Sequence, residues 1–218
     1  MSAIRVSARE GYGLWAESWD STPSPIVALE HRMLLPWIER AGARRAIDVG
    51  CGTGRWTQHL GAIGLDSSRE MLACAQGKSG LRGRLAVADA TALPVADGAA
   101  DLVLCALTLG HIRDHGAAMR EFARILAPGG TLLLTDFHPA AAAAGWRRTF
   151  RREGSVYEVE NHPYTVERLR CEGLVLDERV DARIGEPERD LFHAAGRPEL
   201  FVEACGIPAV LLTRWIRV

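Results

Sequence analysis

The chain has 218 residues, with 26 Lys plus Arg against 27 Asp plus Glu and a formal net charge of −1. Hydrophobic residues make up 48% and charged residues 24%, enough to bury a core and too apolar for a disordered chain. The charge balance excludes a whole-chain field of the kind that gathers nucleic acid or an anionic membrane, and the length favours one domain.

In chain order, residues 5–41 read as largely helical, broken around Pro23 and Pro25. Ile26, Leu29, Met33 and Ile38 recur near helical spacing, and Thr22 or Ser24 is placed to cap the second segment. The pattern then alternates. Strands are predicted at 46–49, 62–65, 84–88, 101–107 and 130–137, and helices at 53–60, 68–75 and 115–126. After an alanine run at 140–144, residues 149–161 alternate around Gly154 as a β-hairpin. A helix opening near Thr165, a strand at 174–180, a helix over 189–205 and a last strand at 209–218 complete the chain.

Nearly all-apolar strands alternating with helices predict a parallel sheet covered on both faces. Ligands of such a sheet bind at its carboxyl edge, where the strand order reverses. The expected division of this single domain is a helical lid (1–42), a cofactor-binding half (43–138) and a substrate flap with the C-terminal strands (139–218). The five cysteines (Cys51, Cys74, Cys105, Cys171, Cys205) show no C-x-x-C pair, so free thiols are expected and a zinc site is not. The opening MSAIRVSAREGYGLW lacks the apolar stretch of a secretion signal, and no run of about 18 apolar residues occurs. A cytoplasmic protein with no membrane partner is expected.

The densest signal is Asp48-Val49-Gly50-Cys51-Gly52-Thr53-Gly54, between a strand and a helix. Glycines let the backbone turn tightly and let a ligand approach the main chain. A dinucleotide fingerprint would put its third glycine at position 55, which is Arg55; the spacing speaks against NAD. Asp48 would repel a pyrophosphate and attract an ammonium group.

This segment resembles motif I of the class I S-adenosylmethionine-dependent methyltransferases, D/E-x-G-x-G-x-G. The resemblance covers roughly residues 10–137. Gly64-Leu65-Asp66-Ser67-Ser68 is similar to the end of the family's second strand, Ala88-Asp89-Ala90-Thr91-Ala92-Leu93-Pro94 to the loop after its third. Residues 101–107 and 126–132 are similar to its fourth strand and to the turn into its fifth. The resemblance implies a Rossmann-like, doubly wound, mostly parallel seven-stranded sheet with S-adenosyl-L-methionine as cofactor. It implies cofactor contacts from Asp48, Gly50, Gly52 and Gly54, from Asp66 with Ser67 and Met71, from Asp89 with Ala90, and from Leu107. A carboxylate at Asp66 suits a vicinal diol, because each oxygen accepts hydrogen bonds. The 16 positions from Gly50 to Asp66 are fewer than the family pattern has, which predicts a stunted first helix.

Tyr12-Gly13-Leu14-Trp15-Ala16-Glu17-Ser18-Trp19-Asp20 resembles the segment that lids the donor in small-molecule members, and implies that Tyr12 touches the cofactor's methionine end. Trp15 and Trp19 either line the acceptor side or pack the helix interface. For proton removal His111, after the fourth strand, is the first candidate and His138, after the fifth, the second; His162 is a third. Arg147, Arg148, Arg151 and Arg152 form a basic run that either grips an anion or is a solvated hairpin face. The expected reaction is methyl transfer to an O, N or C atom of a small molecule by a monomer or homodimer. The alternatives are an RNA or protein methyltransferase and a non-catalytic module of the same fold.

Overall fold

In the computed structural model, which describes residues 3–218, the chain opens on a short strand, β1 (Ile4–Val6), rather than on a helix. Helix α1 (Ala8–Trp19) follows, its N-terminus capped by Ser7, whose hydroxyl accepts from Glu10 N. Helix α2 (Pro25–Ala41) starts at Ser24, which accepts from Val27 N, with Pro25 in the first turn where no N–H is needed. It ends at Gly42 in the left-handed region.

The alternating series then runs β2 (Ala46–Val49), α3 (Arg55–Leu60), β3 (Ile63–Asp66), α4 (Arg69–Gln76), β4 (Leu85–Val87), β5 (Ala100–Ala106), α5 (His115–Ile125) and β6 (Leu126–Phe137). As the short crossover predicts, α3 has only six residues. Strand β6 begins earlier than expected, directly at the end of α5. Its pairing with β5 shifts register between Ala100 and Leu102, which absorbs the Pro128-Gly129-Gly130 segment.

The remainder is α6 (Pro139–Ala143), the hairpin β7 (Thr149–Arg152) and β8 (Ser155–Val159), β9 (Leu174–Arg183), α7 (Arg189–Ala194), α8 (Phe201–Cys205) and β10 (Pro208–Arg217). Arg152 faces Ser155 across a two-residue loop in which Glu153 (φ 49°) and Gly154 (φ 78°) both have positive φ, the geometry that matches strand twist. Two expectations are corrected. The helix near Thr165 is one 3-10 turn, Val166–Leu169. The helix over 189–205 is two short ones, separated at Arg197-Pro198, where proline removes a donor and restricts its predecessor.

The main sheet has seven strands in the order β4-β3-β2-β5-β6-β10-β9, all parallel except the reversed β10. The order reverses between β2 and β5. Alternate residues feed two cores: Val103, Cys105, Leu132 and Leu134 pack with Met119, Phe122 and Ile125 of α5. Leu102, Leu104 and Leu133 pack with Leu29, Leu34 and Ile38 of α2. Burial on both faces explains why these strands carry no polar alternation, each large side chain contributing about 1.5–3 kcal/mol.

A second sheet, β1-β8-β7, lies apart from the first. Strand β1 pairs parallel with β8, Ile4 opposite Tyr157. With α1 it encloses a separate aromatic cluster, in which Trp15 stacks on Phe150 (centroids 4.7 Å apart) and Phe150 on Tyr157 (5.2 Å). The predicted helical lid is therefore a helix on a small sheet. No helix among the described residues is long and apolar enough to cross a membrane.

Candidate active site

A cavity of about 910 Å³ opens at the carboxyl edge of the main sheet, where the strand order reverses. One wall is the loop after β2 together with the ends of β3 and β4; α1 and the hairpin region contribute the other.

The glycines of the loop do different work. Gly50 has φ 72°, and a Cβ there would stand 2.7 Å from Thr108 Cβ and closer to the rest of that side chain. It allows the β2 and β5 ends to meet, and Thr108 Oγ1 donates to Gly50 O (3.1 Å). Gly52, also at positive φ, has nothing within 4 Å of an added Cβ, so its bare backbone faces open space in the cavity wall. Gly54 is not in that wall: it packs against Leu81 at the start of α3.

Asp66, at the end of β3, fastens the loop. Its Oδ2 accepts from Gly52 N (2.7 Å) and its Oδ1 from Ser68 N (2.8 Å). Burial raises its pKa, partly offset by those backbone donors. Asp48 is 2% exposed, accepts from Thr57 Oγ1 (2.6 Å), and is pushed up by burial to a pKa of about 7. Ser67 and Met71 line the same side, as do Asp89 and Ala90 after β4. Asp89 uses Oδ1 to accept from Thr91 N and Thr91 Oγ1, leaving Oδ2 without a protein partner among the described residues.

Leu107, also in the wall, turns out of β5 with φ 54°, a left-handed conformation costing a non-glycine residue about 1–2 kcal/mol. Its N–H donates to both Thr135 O (2.8 Å) and Thr135 Oγ1 (3.1 Å), which hold it there.

The opposite wall joins residues distant in sequence. Tyr12 donates its hydroxyl proton to His111 Nε2 (2.8 Å), a direction set because His111 Nδ1–H points at Glu160 O (2.8 Å). Arg148 Nη1 donates in turn to the Tyr12 oxygen (2.7 Å). Burial, and then Arg148, lower the His111 pKa to about 3, so the ring is neutral at pH 7 with both nitrogens engaged. Burial likewise raises the Tyr12 pKa. Such an imidazole is a poor proton acceptor near neutrality.

His138 is not part of the cavity wall. Its Nδ1 accepts from Ala140 N (3.0 Å), capping α6, and its Nε2 meets Asp181 Oδ1 (3.1 Å) on β9. It lies at the predicted sheet edge but faces away from the cavity, a correction to its expected role. His162 does line the cavity, and Trp19 lines it while Trp15 is buried in the aromatic cluster. Sequence reasoning missed Thr108 and Glu160, which carry no motif, and did not single out Arg148 within a run read either as an anion grip or as a solvated hairpin face. The C-terminal end of α1 is tied to the loop by Thr53 Oγ1, which donates to Asp20 Oδ1 (2.6 Å). Among the described residues, no cluster of His, Cys, Asp and Glu is arranged to hold a metal ion.

A doubly wound sheet with a glycine loop at its switch point, and acids at the next two strand ends, defines a nucleotide-cofactor-binding α/β protein. A family model described as "Methyltransferase domain" matches residues 47–134. Methyltransferase GfsG of Streptomyces halstedii is 31% identical over 191 residues, covering 78% of this chain and 67% of that protein. Demethylmenaquinone methyltransferase of Thermus thermophilus is 39% identical over 111 residues, 46% of this chain and 50% of its own length. The chain thus spans from half to two thirds of these relatives. An S-adenosylmethionine-dependent methyltransferase structure from Mesorhizobium loti superposes with a TM-score of 0.64 at 21% identity, covering 87% of this chain and 100% of that one. The chain belongs to the class I S-adenosylmethionine-dependent methyltransferases. Membership implies S-adenosylmethionine as the cofactor.

Proposed function

We propose that this protein moves a methyl group from S-adenosylmethionine to an O, N or C atom of a small-molecule acceptor. The observation that carries the reading is the single cavity with two chemically different walls, acidic and glycine-lined on one side, aromatic and cationic on the other. Its volume of about 910 Å³ lies at the upper end for a ligand pocket and leaves room for a cofactor beside a small second molecule.

The donor set fits the cofactor. Asp66 keeps unused lone pairs on both oxygens for a ribose diol, after accepting one backbone bond on each. Asp89 Oδ2 and the Ala90 backbone suit the adenine edge. Asp48, with a pKa of about 7, would be drawn into its ionised form by an ammonium group. The open face of Gly52, with Ser67, Met71 and Leu107, completes the cradle.

When bound, the cofactor supplies a sulfonium-activated methyl group that a nucleophile displaces in line. The chain's own part is orientation and exclusion of water. Tyr12 and Trp19 of α1 close over the cavity, and His111 acts by holding the Tyr12 hydroxyl rather than by taking a proton. The name of the Thermus relative, which specifies a small-molecule acceptor, supports an acceptor of that size.

Calorimetric titration with S-adenosylmethionine and S-adenosylhomocysteine tests the reading. Binding of both in the micromolar range is expected, followed by transfer of labelled methyl to a small-molecule extract. Absence of binding at high micromolar concentration sinks it, and strongly salt-dependent RNA affinity would redirect it to a polymer acceptor.

A further inference from the structure

The basic run at 147–152 divides on folding. Arg147 Nη1 donates to Ala142 O and Trp146 O, Arg152 reaches Glu153 and Leu14 O, and Arg151 is exposed. Arg148 alone turns into the cavity. Its Nη1 serves Tyr12 and, at 3.4 Å, the Leu107 carbonyl. Its Nε and Nη2 meet no protein acceptor, and no carboxylate lies within ion-pair distance among the described residues.

Of the other arginines of the cavity wall, Arg55 pairs with Glu30 (2.6 Å) and Arg113 with Glu160 (3.2 Å), while Arg9 and Arg69 are exposed to solvent. The acid that acts most directly on Arg148 from further off, Asp136, is already committed. Its oxygens accept from Gly110 N, Phe137 N (2.7 Å) and Tyr164 Oη (3.3 Å). Asp136 therefore offsets the Arg148 charge only across a gap, the guanidinium keeps free donors, and its planar fork matches a carboxylate. The surrounding wall, with Trp19, Tyr12 and Ile112, suits an apolar body behind such a charge.

Resting on the methyl-transfer reading, we propose that the acceptor is an oxyanion with an apolar body, and that Arg148 is the specificity-determining residue that receives its charge. This accords with His111, whose two nitrogens are both engaged, since an acceptor already charged in solution needs no base.

The test uses the full chain saturated with S-adenosylhomocysteine and three carboxylate probes, acetate, benzoate and cinnamate, each titrated against its neutral amide. Benzoate and cinnamate should bind at least about tenfold tighter than their amides, the scale of a charge-assisted bond. Arg148→Met should abolish that preference and Arg148→Lys should keep part of it. Both variants should bind S-adenosylhomocysteine as the wild type does and give the wild-type circular-dichroism spectrum at the assay temperature. No preference for any carboxylate overturns the proposal, as does a preference that survives in Arg148→Met. A loss of S-adenosylhomocysteine affinity in Arg148→Met also overturns it, by assigning the guanidinium to the cofactor's own carboxylate. Failure of the wild type to bind S-adenosylhomocysteine at all defeats the underlying reading instead, so the two failures are told apart.

Discussion

The two walls of the cavity are built by opposite strategies. The cofactor-side wall comes from contiguous segments at successive strand ends, and its contacts are short-range: Gly52 to Asp66, Asp66 to Ser68, Asp89 to Thr91. The other wall joins the side chains of Tyr12, His111 and Arg148 and the backbone carbonyl of Glu160, from four separate parts of the chain. A motif can specify the first because backbone geometry specifies it. The second exists only when the small β1-β8-β7 sheet and α1 are docked.

Substitutions can break this contrast. The largest effect is expected from Gly50→Val, which meets both a positive φ and the Thr108 side chain. It should cost roughly 2–5 kcal/mol in urea unfolding, or prevent folding. Asp66→Ala releases two backbone donors of the loop, Gly52 N and Ser68 N. S-adenosylhomocysteine affinity, read by calorimetry, should fall by about tenfold or more.

On the other wall, Tyr12→Phe leaves His111 Nε2 without its donor and Arg148 without the nearer of its two protein oxygens. It should lower stability by about 1–2 kcal/mol, seen as a reduced melting temperature. An unchanged melt would show that the Arg148–Tyr12–His111 chain does not hold this wall together.

A pH experiment sharpens the cofactor side. Asp48 has its folded pKa raised to about 7, so its favourable contribution is fully present below the ordinary carboxylate range and is lost as pH rises through about 7. Asp48→Asn removes that loss. The fall in melting temperature between pH 5 and pH 8 should be smaller in the variant than in the wild type. An equal fall would mean that Asp48 is not held protonated by its burial.

The smallest effect separates the two histidines first considered as bases. His138→Ala should cost about 0.5–2 kcal/mol through the lost cap of α6 and leave S-adenosylhomocysteine affinity unchanged. A marked loss of cofactor affinity would place His138 back among the site residues.

What was legible in the sequence follows the same division. Strands β2, β5 and β6 could be read because burial on both faces leaves unbroken apolar runs, and the loop because glycines and acids occur at a set spacing. Strand β1 could not be read: three residues carry no periodicity, and their partner, β8, lies some 150 positions away. His111 was found at the correct strand end. Its chemistry was not, since its low pKa comes from burial and from Arg148, far along the chain. His138 occupied an equally good sequence position and folded into a cap. The break at Arg197-Pro198 was signalled by the proline and overridden by apolar spacing on either side.

The sequence by itself determined the alternation of strands and helices from β2 to β6 and the glycine loop between β2 and α3. These depend on local backbone preference and on which residues must leave water. Tertiary structure alone decided which arginine of a run of four enters the cavity, which histidines face it, and how α1 docks beside it. Those outcomes turn on long-range docking, in which one residue's partner sets its direction, charge state and cost of burial.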